Sequence, residues 1–311
     1  MAALRTAKTV LAVEKDTSEG ATGATLATAD AIKITDVTIN QVSDAVDKAA
    51  IDGKFGAKGF IPSMTRYEAT FTVEAIASGT VGDPPAYSDL LEACGLAMND
   101  GASTVVYTPE TNLETAETAT IGIYIDDGLF FKMIKARGSF TLNVTSGSVP
   151  TYNFTFIGQY VGPTATTNLT PTYSTENPLI ANSTNTTPFT IHTHNGALQS
   201  FTFEQNNNLY YSELAGGSKQ VRITERDSGG SCVFESVAIG TKNFHSIANS
   251  QATGNLTWTH GQASGSKIVF LASYTQLETI SQEDSEGYQM FNVGYRALPS
   301  SGNDEFTLTY Q

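Results

Sequence analysis

Apolar and polar residues alternate along much of the chain, and the alternation is strictest between residues 66 and 75. The odd positions carry apolar side chains, and the even positions carry Arg, Glu and Thr. A period of two predicts a strand with one buried face and one solvent-facing face. The apolar positions are Tyr67, Ala69, Phe71, Val73 and Ala75.

The pattern changes period after residue 83. Tyr87, Leu90, Leu91 and Cys94 fall at i, i+3, i+4 and i+7, which predicts one stripe of a short amphipathic helix docked on a sheet. Asp83 is a candidate N-cap, Pro84 suits the first helical position, and Gly95 suits the end of the helix.

The remaining pattern predicts strands almost throughout. In the first half these are 8–13, 32–39, 104–108, a hairpin over 119–134 around Asp127-Gly128, and a pair over 140–144 and 152–156. In the second half we expect a hairpin over 190–203 around Asn195-Gly196, further strands to residue 310, and a short helix over 246–251. Residues 43–63 read as a long polar connection, and 161–188 as a Thr/Pro/Asn-rich linker.

The two halves of the chain repeat each other. Residues 71–80 align with residues 232–241 without a gap at an offset of 161, with Glu, Ala, Gly and Thr identical. Residues 152–158 and 288–294 also share a Tyr, an Ile or Val, and a Gly. We therefore predict an N-terminal arm over 1–30, a β domain over 31–162, a linker over 163–190, and a second β domain over 191–311.

Composition and charge exclude several classes of protein. The chain has 311 residues, 40% of them hydrophobic and 15% charged, with a formal net charge of −14. Such an acidic surface repels nucleic acid and anionic membranes. Two distant cysteines, Cys94 and Cys232, do not make a disulfide framework, and we expect buried thiols. The charged N-terminus and the absence of long apolar runs indicate folding in a cytoplasm.

Motifs that suggest catalysis are incomplete. Asp227-Ser228-Gly229-Gly230 resembles a protease nucleophile loop but has no matching His motif, so a turn between strands is expected. His192 and His194 suggest two metal ligands without a third, and a surface strand is expected instead. We therefore predict no enzyme activity, no cofactor and no metal.

Two stretches resemble the major tail tube proteins of phages with long, non-contractile tails. The first is the Arg-led strand followed by a Gly/Pro turn and a helix that ends Leu-Leu-Glu-Ala-Cys-Gly-Leu. The second is the chain end, with Tyr274-Thr-Gln-Leu, an acidic Asp-Ser-Glu-Gly loop and a closing Gly-Asn-Asp-Glu. The resemblance covers about residues 30–160 and 195–311.

The resemblance implies a mainly β fold, a β-sandwich flanked by one helix, that assembles into rings stacked as a tube. In the family, the connection over 43–63 reaches the neighbouring ring. Its candidate contact residues here are Asp47, Lys48, Lys54, Phe55, Lys58 and Phe60. Tail tip, terminator and tape-measure proteins are the implied partners, in a virion tail assembled in the host cytoplasm.

Two ring architectures remain open. A duplicated tube domain predicts a trimeric ring, whereas one tube domain with a decorating β-sandwich predicts a hexameric ring. Glu68 and Glu74, on the polar face of the opening strand, are candidates for an acidic lumen through which DNA passes without specific binding. The alternative function is a two-domain binding module or adhesin with an exposed aromatic platform around Tyr210, Tyr211 and Trp258.

Overall fold

The computed structural model describes residues 4–16, 23–48, 55–112 and 116–311. These residues form nineteen β-strands and two short α-helices, so the predicted mainly β class is confirmed. The helices are α1 (Ser88–Ala93) and α2 (Phe244–Asn249). Neither of them, nor any other helix in these ranges, is long and apolar enough to cross a membrane.

Eleven of the strands come before residue 196. They are β1 (Thr9–Lys15), β2 (Ala31–Ile32), β3 (Asp36–Asp47), β4 (Phe60–Glu74), β5 (Leu96–Asp100), β6 (Val105–Pro109), β7 (Ala119–Ile125), β8 (Leu129–Thr145), β9 (Thr151–Thr164), β10 (Phe189–Ile191) and β11 (His194–Asn195).

Eight strands follow. They are β12 (Leu198–Glu204), β13 (Asn207–Glu213), β14 (Lys219–Arg226), β15 (Gly229–Glu235), β16 (Thr253–His260), β17 (Ile268–Ser285), β18 (Tyr288–Ala297) and β19 (Thr307–Tyr310).

Eight antiparallel strands form one continuous sheet in the order β3-β4-β9-β8-β12-β15-β18-β17. The first four come from the N-terminal half and the last four from the C-terminal half. The halves meet where β8 pairs with β12, from Ser200 opposite Thr145 to Glu204 opposite Thr141. We call these two paired segments the internal seam.

The shorter strands attach to the long strands β8 and β17 in matching ways. β7 pairs with β8, β1 with β7, and β2 with β1. Correspondingly, β16 pairs with β17, β10 with β16, and β11 with β10. The helices also correspond. In the chain, α1 lies between β4 and β7 in the first half, and α2 lies between β15 and β16 in the second half. The topology of the second half thus repeats that of the first.

Two hairpins and strand β19 lie outside this correspondence. The β5–β6 hairpin follows α1 and joins the second half through β19. The β13–β14 hairpin follows β12 and packs against β4, β8 and β9. These elements add contacts between the halves.

One hydrophobic core runs through both halves. Phe140 of the first half contacts Phe203 of the second at 6.0 Å between ring centroids, and both rings contact Phe306. Trp258 and Phe201 stack at 6.1 Å, and all five side chains are buried. Because the rings interlock across the internal seam, each half completes the core of the other.

Helix α1 confirms the predicted stripe but not its predicted start. Tyr87, Leu90, Leu91 and Cys94 are all buried, and Gly95 has a φ of 79°, as expected of a residue that ends a helix. The helix begins at Ser88, its N-cap is Tyr87, and no side chain caps it. The predictions for Asp83 and Pro84 were therefore wrong. The Ser88 N–H donates to the Pro85 carbonyl, so the Pro-Pro segment forms a turn ahead of the helix.

Several strand predictions differ from the structure. The 43–63 connection is mostly a continuation of one hairpin, because β3 runs to Asp47 and β4 begins at Phe60. The hairpin predicted over 190–203 does not form, since β12 pairs with β8 and β15 instead of β10. The strand predicted over 8–13 forms as β1, and it is not an edge strand, because it pairs with both β7 and β2.

Only one of the two repeat alignments agrees with the sheet registers. β4 ends at Glu74 and β15 at Glu235, which preserves the offset of 161. The Ala75 N–H then donates to the Pro150 carbonyl, and the Ser236 N–H to the Gln289 carbonyl, which gives an offset of 139 for β9 and β18. The alignment of residues 152–158 with 288–294 is therefore three positions out of register.

We expect Leu91→Ala to lower the free energy of unfolding by about 2–5 kcal/mol, because it leaves a cavity where the fully buried side chain holds α1 on the sheet. Urea unfolding of the unassembled protein, followed by circular dichroism, measures this loss. Leu214→Ala is the matched control, since the Leu214 side chain is exposed. Equal urea midpoints for the two variants would contradict the role assigned to Leu91.

Candidate assembly surfaces

One face of the eight-stranded sheet is polar from strand to strand. At one level the row runs from Glu74 through Thr151, Asn143 and Thr202 to Ser231. In the next row, the Thr72 hydroxyl donates to the Asn153 side-chain carbonyl at 3.0 Å. The opposite face holds the core, so the alternation predicted for β4 extends across the sheet. We call this surface the polar face.

Acidic side chains outnumber basic ones on the polar face. By strand pairing this side carries the acids Asp36, Glu68, Glu74, Glu204, Glu235 and Glu283, together with Arg66, Arg296 and the buried Arg137. Arg66 pairs with Glu68 at 2.9 Å and Asp44 at 3.5 Å. Arg296 pairs with Glu278 at 3.1 Å and Asp227 at 3.4 Å. Both sequence-predicted lumen candidates, Glu68 and Glu74, lie on this face.

The far end of the β3–β4 hairpin exposes apolar side chains. Val46, Phe55, Phe60 and Ile61 are all more than half exposed. Apolar side chains grouped at a projecting tip are typical of a contact surface. We call residues 44–48 and 55–62 the hairpin tip.

The structure places most of the predicted contact residues on the hairpin tip. Asp47 is exposed and pairs with Phe60 across the hairpin. The Lys48 N–H donates to the Gly59 carbonyl at 3.1 Å, and Lys58 is exposed. Lys54 lies outside the described residues. Sequence reasoning missed Val46 and Ile61, which lie on the outer parts of the two strands.

The β13–β14 hairpin rests against the base of the β3–β4 hairpin. The Tyr211 hydroxyl donates to the Thr65 carbonyl at 3.4 Å, and the Arg66 guanidinium lies 6.0 Å from the Tyr211 ring centroid. Leu214 is exposed where β13 ends. No sequence signal paired these two segments, because the contact joins residues far apart in the chain.

The predicted aromatic platform does not exist. Tyr211 and Trp258 are buried, and Tyr210 alone of the three is exposed. Trp258 stacks between Phe201 and His260 inside the second half. The feature that distinguished the binding-module alternative is therefore absent.

The stripe of helix α1 packs into a cluster of buried tyrosines. The Tyr87 and Tyr152 hydroxyls lie 3.2 and 3.1 Å from that of Tyr310, and the Tyr107 hydroxyl donates to Ser88 Oγ at 2.7 Å. Burial raises the pKa of all four tyrosines, so the cluster stays protonated and uncharged. This network ties the helix to β6, β9 and the C-terminal strand.

The polar side of α1 is acidic. Lys15 Nζ lies 3.0 Å from Glu92 Oε2, and the Glu92 side chain is buried. Burial, with a smaller contribution from Glu92, raises the pKa of the neighbouring Asp89 carboxyl. Ionised Asp89 is therefore less favourable in the folded chain than in water.

The catalytic and metal motifs have structural explanations. Ser228 is buried, and its hydroxyl donates to the Gln205 carbonyl at 3.1 Å. His192 is buried beside Thr275 in a turn, so the expected surface strand was wrong there. The described residues contain no group of three or more potential metal ligands.

A protein-family model described as phage tail tube protein matches residues 6–305 of the chain. The chain belongs to the phage tail tube protein family. No curated protein matches it.

Membership in this family makes the chain a structural component of the phage tail. The match spans both halves and the linker between them, including residues 161–190, which the resemblance did not cover. For a tail tube protein, the polar face and the hairpin tip are candidate assembly surfaces.

Asp89→Asn tests the electrostatics of the helix site in this tail tube protein. The raised pKa of Asp89 means that the folded state binds this proton more tightly than the unfolded state. Ionised Asp89 therefore lowers stability at neutral pH, and the effect disappears below the ordinary carboxyl pKa of about 4. We expect Asp89→Asn to raise the urea midpoint at pH 7 and to match the unsubstituted protein near pH 3.

The exposed Asp100 on β5 supplies the control. Asp100→Asn should leave the urea midpoint unchanged at both pH values. A gain for Asp89→Asn that persists undiminished at low pH would contradict the proposed cause.

Proposed function

We propose that this chain assembles into trimeric rings, each closed by sheet pairing, and that the rings stack into the phage tail tube. The observation that supports this proposal is the eight-stranded sheet built from two sets of four strands in matching order. Two equivalent units per chain give three chains a pseudo-sixfold ring.

The proposed units correspond to the domains expected from sequence, with one change. Because β1 pairs with β7 as β10 pairs with β16, we assign residues from 9 onward to the first unit and not to a separate arm. The first unit then extends to about residue 162, the linker covers 163–190, and the second unit covers 191–311.

The polar face is the proposed wall of the channel. Its hydroxyl and amide side chains hold water, and its excess of acids, Glu68 and Glu74 among them, repels the phosphates of DNA. DNA would then pass through a hydrated channel without specific binding during genome ejection. The core face supports this orientation, since its apolar side chains are already buried within the chain.

The hairpin tip is the proposed contact between stacked rings. Its exposed Phe55 and Phe60 would be covered by the next ring, and Asp47, Lys48, Lys54 and Lys58 would add charge contacts sensitive to salt. Tail tip, terminator and tape-measure proteins are the further partners that this role requires, and assembly would take place in the host cytoplasm.

Electron microscopy of the purified chain tests the proposal. We expect rings or tubes whose reconstruction contains three chains per ring, with Glu68 and Glu74 facing the channel. Six chains per ring would support the rival architecture with a decorating second half. Protein that stays monomeric at high concentration would overturn the assembly function, and both glutamates on the outer wall would overturn the acidic lumen.

The double variant Phe55→Ser/Phe60→Ser tests ring stacking separately. Because both side chains project from the hairpin tip, we expect single rings of normal diameter and a loss of tube length of about tenfold or more. Val81→Ser, which changes an exposed apolar residue near α1, is the matched control and should form normal tubes. Tubes of normal length from the double variant would remove the hairpin tip from the stacking interface.

A further inference from the structure

The eight-stranded sheet ends in two open edges. β3 pairs with β4 along one side, and β17 pairs with β18 over residues 275–285. Within the described residues, no strand pairs with the other side of β3 or with the other side of residues 277–285. β3 has twelve residues, many of them β-branched, and contains no Pro, Lys or Arg. Asp44, Asp47 and a register shift between Val42 and Asp44 protect its outer part, but residues 37–42 carry no charge, so this inner segment can pair with another strand.

The internal seam shows how these edges fit together. β3 and β12 are each the first strand of their set of four, and β8 and β17 are each the last. In the seam, the last strand of the first set pairs with the first strand of the second set. The equivalent contact for the open edges joins β17 of one copy to β3 of the next.

The sheet registers fix the residue equivalences. With Phe71 equivalent to Cys232, the strand pairings make Phe154 equivalent to Val293. The next strand pairing on one side, to β8 and β17, makes Phe140 equivalent to Ile280. The next pairing on the other side, to β3 and β12, makes Val37 equivalent to Phe201. Each equivalent pair lies on the core face of the sheet.

We propose that β3 of one chain pairs antiparallel with the C-terminal part of β17 of a second copy, in the register of the internal seam. This inference rests on the proposed ring and names its lateral contact. The paired residues are Asp36 with Ser285, Val37 with Asp284, Thr38 with Glu283, Ile39 with Gln282, and Asn40 with Ser281.

The core-facing side chains at the open edges are only partly buried, as expected where a neighbouring strand is missing. Phe201 and Phe203, on the seam strand β12, are fully buried. Val37 and Ile39, their equivalents on β3, touch the core but remain half-buried, as does Ile280 on β17. A second copy covers these three side chains from the side where the described part of the chain offers no strand.

The register opposes no like charges, and on the core face it sets Val37 opposite Asp284 and Ile39 opposite Gln282. On the polar face, Thr38 lies opposite Glu283 and Asn40 opposite Ser281, so no like charges oppose each other. Asp284 accepts a hydrogen bond from the Gly287 N–H in its own hairpin turn. Because the two edges lie at opposite ends of one sheet, the contact is head-to-tail and closes when copies complete a circle.

Cysteine pairs test the register directly. Thr38→Cys/Glu283→Cys and, separately, Asn40→Cys/Ser281→Cys place thiols on directly opposed residues of two chains. The matched control is Asp36→Cys/Ser281→Cys, which uses the same strands and face but is four residues out of register, beyond the reach of a disulfide. The native Cys94 and Cys232 are buried, and the unsubstituted chain gives their background.

Rings are formed under reducing conditions, checked by electron microscopy, and then oxidised mildly. We expect the two in-register variants to give covalent dimers and trimers on non-reducing gels, about tenfold more than the control. Rings that assemble normally but yield no more cross-links than the control would overturn the register and leave the proposed tube function intact. Absence of rings from the unsubstituted chain would overturn the function and the pairing together.

A reconstruction of the unsubstituted ring gives a second readout that needs no substitution. It should place Thr38 of one copy beside Glu283 of the next. Any other strand beside β3, or a shifted register, would overturn the inference even where a cysteine variant does not assemble.

Discussion

The structure depends on the five residue pairs of the internal seam, where β8 meets β12. Backbone hydrogen bonds at this junction turn two four-stranded sheets into one. The core-facing side chains beside it, Phe201 and Phe203, contact Phe270 and Phe306 of the C-terminal half, and Phe203 also contacts Phe140 of the other half. Full burial of a large apolar side chain contributes about 1.5–3 kcal/mol, so the aromatic contacts stabilise the junction as much as its hydrogen bonds do. The halves consequently share one core.

The length of β8 makes this junction possible. Its first part pairs with β7 and its last part pairs with β12. A register shift between Ile134 and Arg137 lies between these two paired segments. β17 has the same design, with β16 on its first part and a register shift between Leu277 and Ile280. Its last part then extends beyond β16 and, within the described chain, pairs with a strand on one side only, which is β18. The construction that joins the two halves therefore leaves a matching edge at the end of the sheet.

Local patterns in the sequence predicted the local structure. The strict alternation over 66–75 and the stripe from Tyr87 to Cys94 each correctly predicted one buried face. Both predictions succeeded because each pattern depends only on residues that are close together in the sequence. The start of α1 was mispredicted because Asp83 and Pro84 satisfy a local capping pattern, whereas the Pro-Pro segment forms a turn ahead of a helix that begins at Ser88.

Long-range pairing was harder to predict. Asn195-Gly196 is a strong hairpin signal, yet β12 finds better partners in β8 and β15, since these bury Phe201 and Phe203. The outer part of the β3–β4 hairpin was missed because Ser43, Asp44 and Asp47 interrupt its apolar alternation. Its exposed apolar tip could be predicted only in part, from Phe55 and Phe60, because exposure depends on how far the hairpin projects.

In the proposed tube, the composition of the polar face suits a surface that DNA passes rather than binds. Affinity for a polyanion comes from cations that replace its counterions, and one such contact adds to the next. On this face Arg66 and Arg296 each lie within ion-pair distance of two carboxylates, which leaves them little charge to offer a phosphate. The rows of Thr, Asn and Ser between them are hydrophilic but carry no charge. A channel lined in this way exerts weak repulsion evenly along its length, so a moving duplex meets no strong site at which to stop.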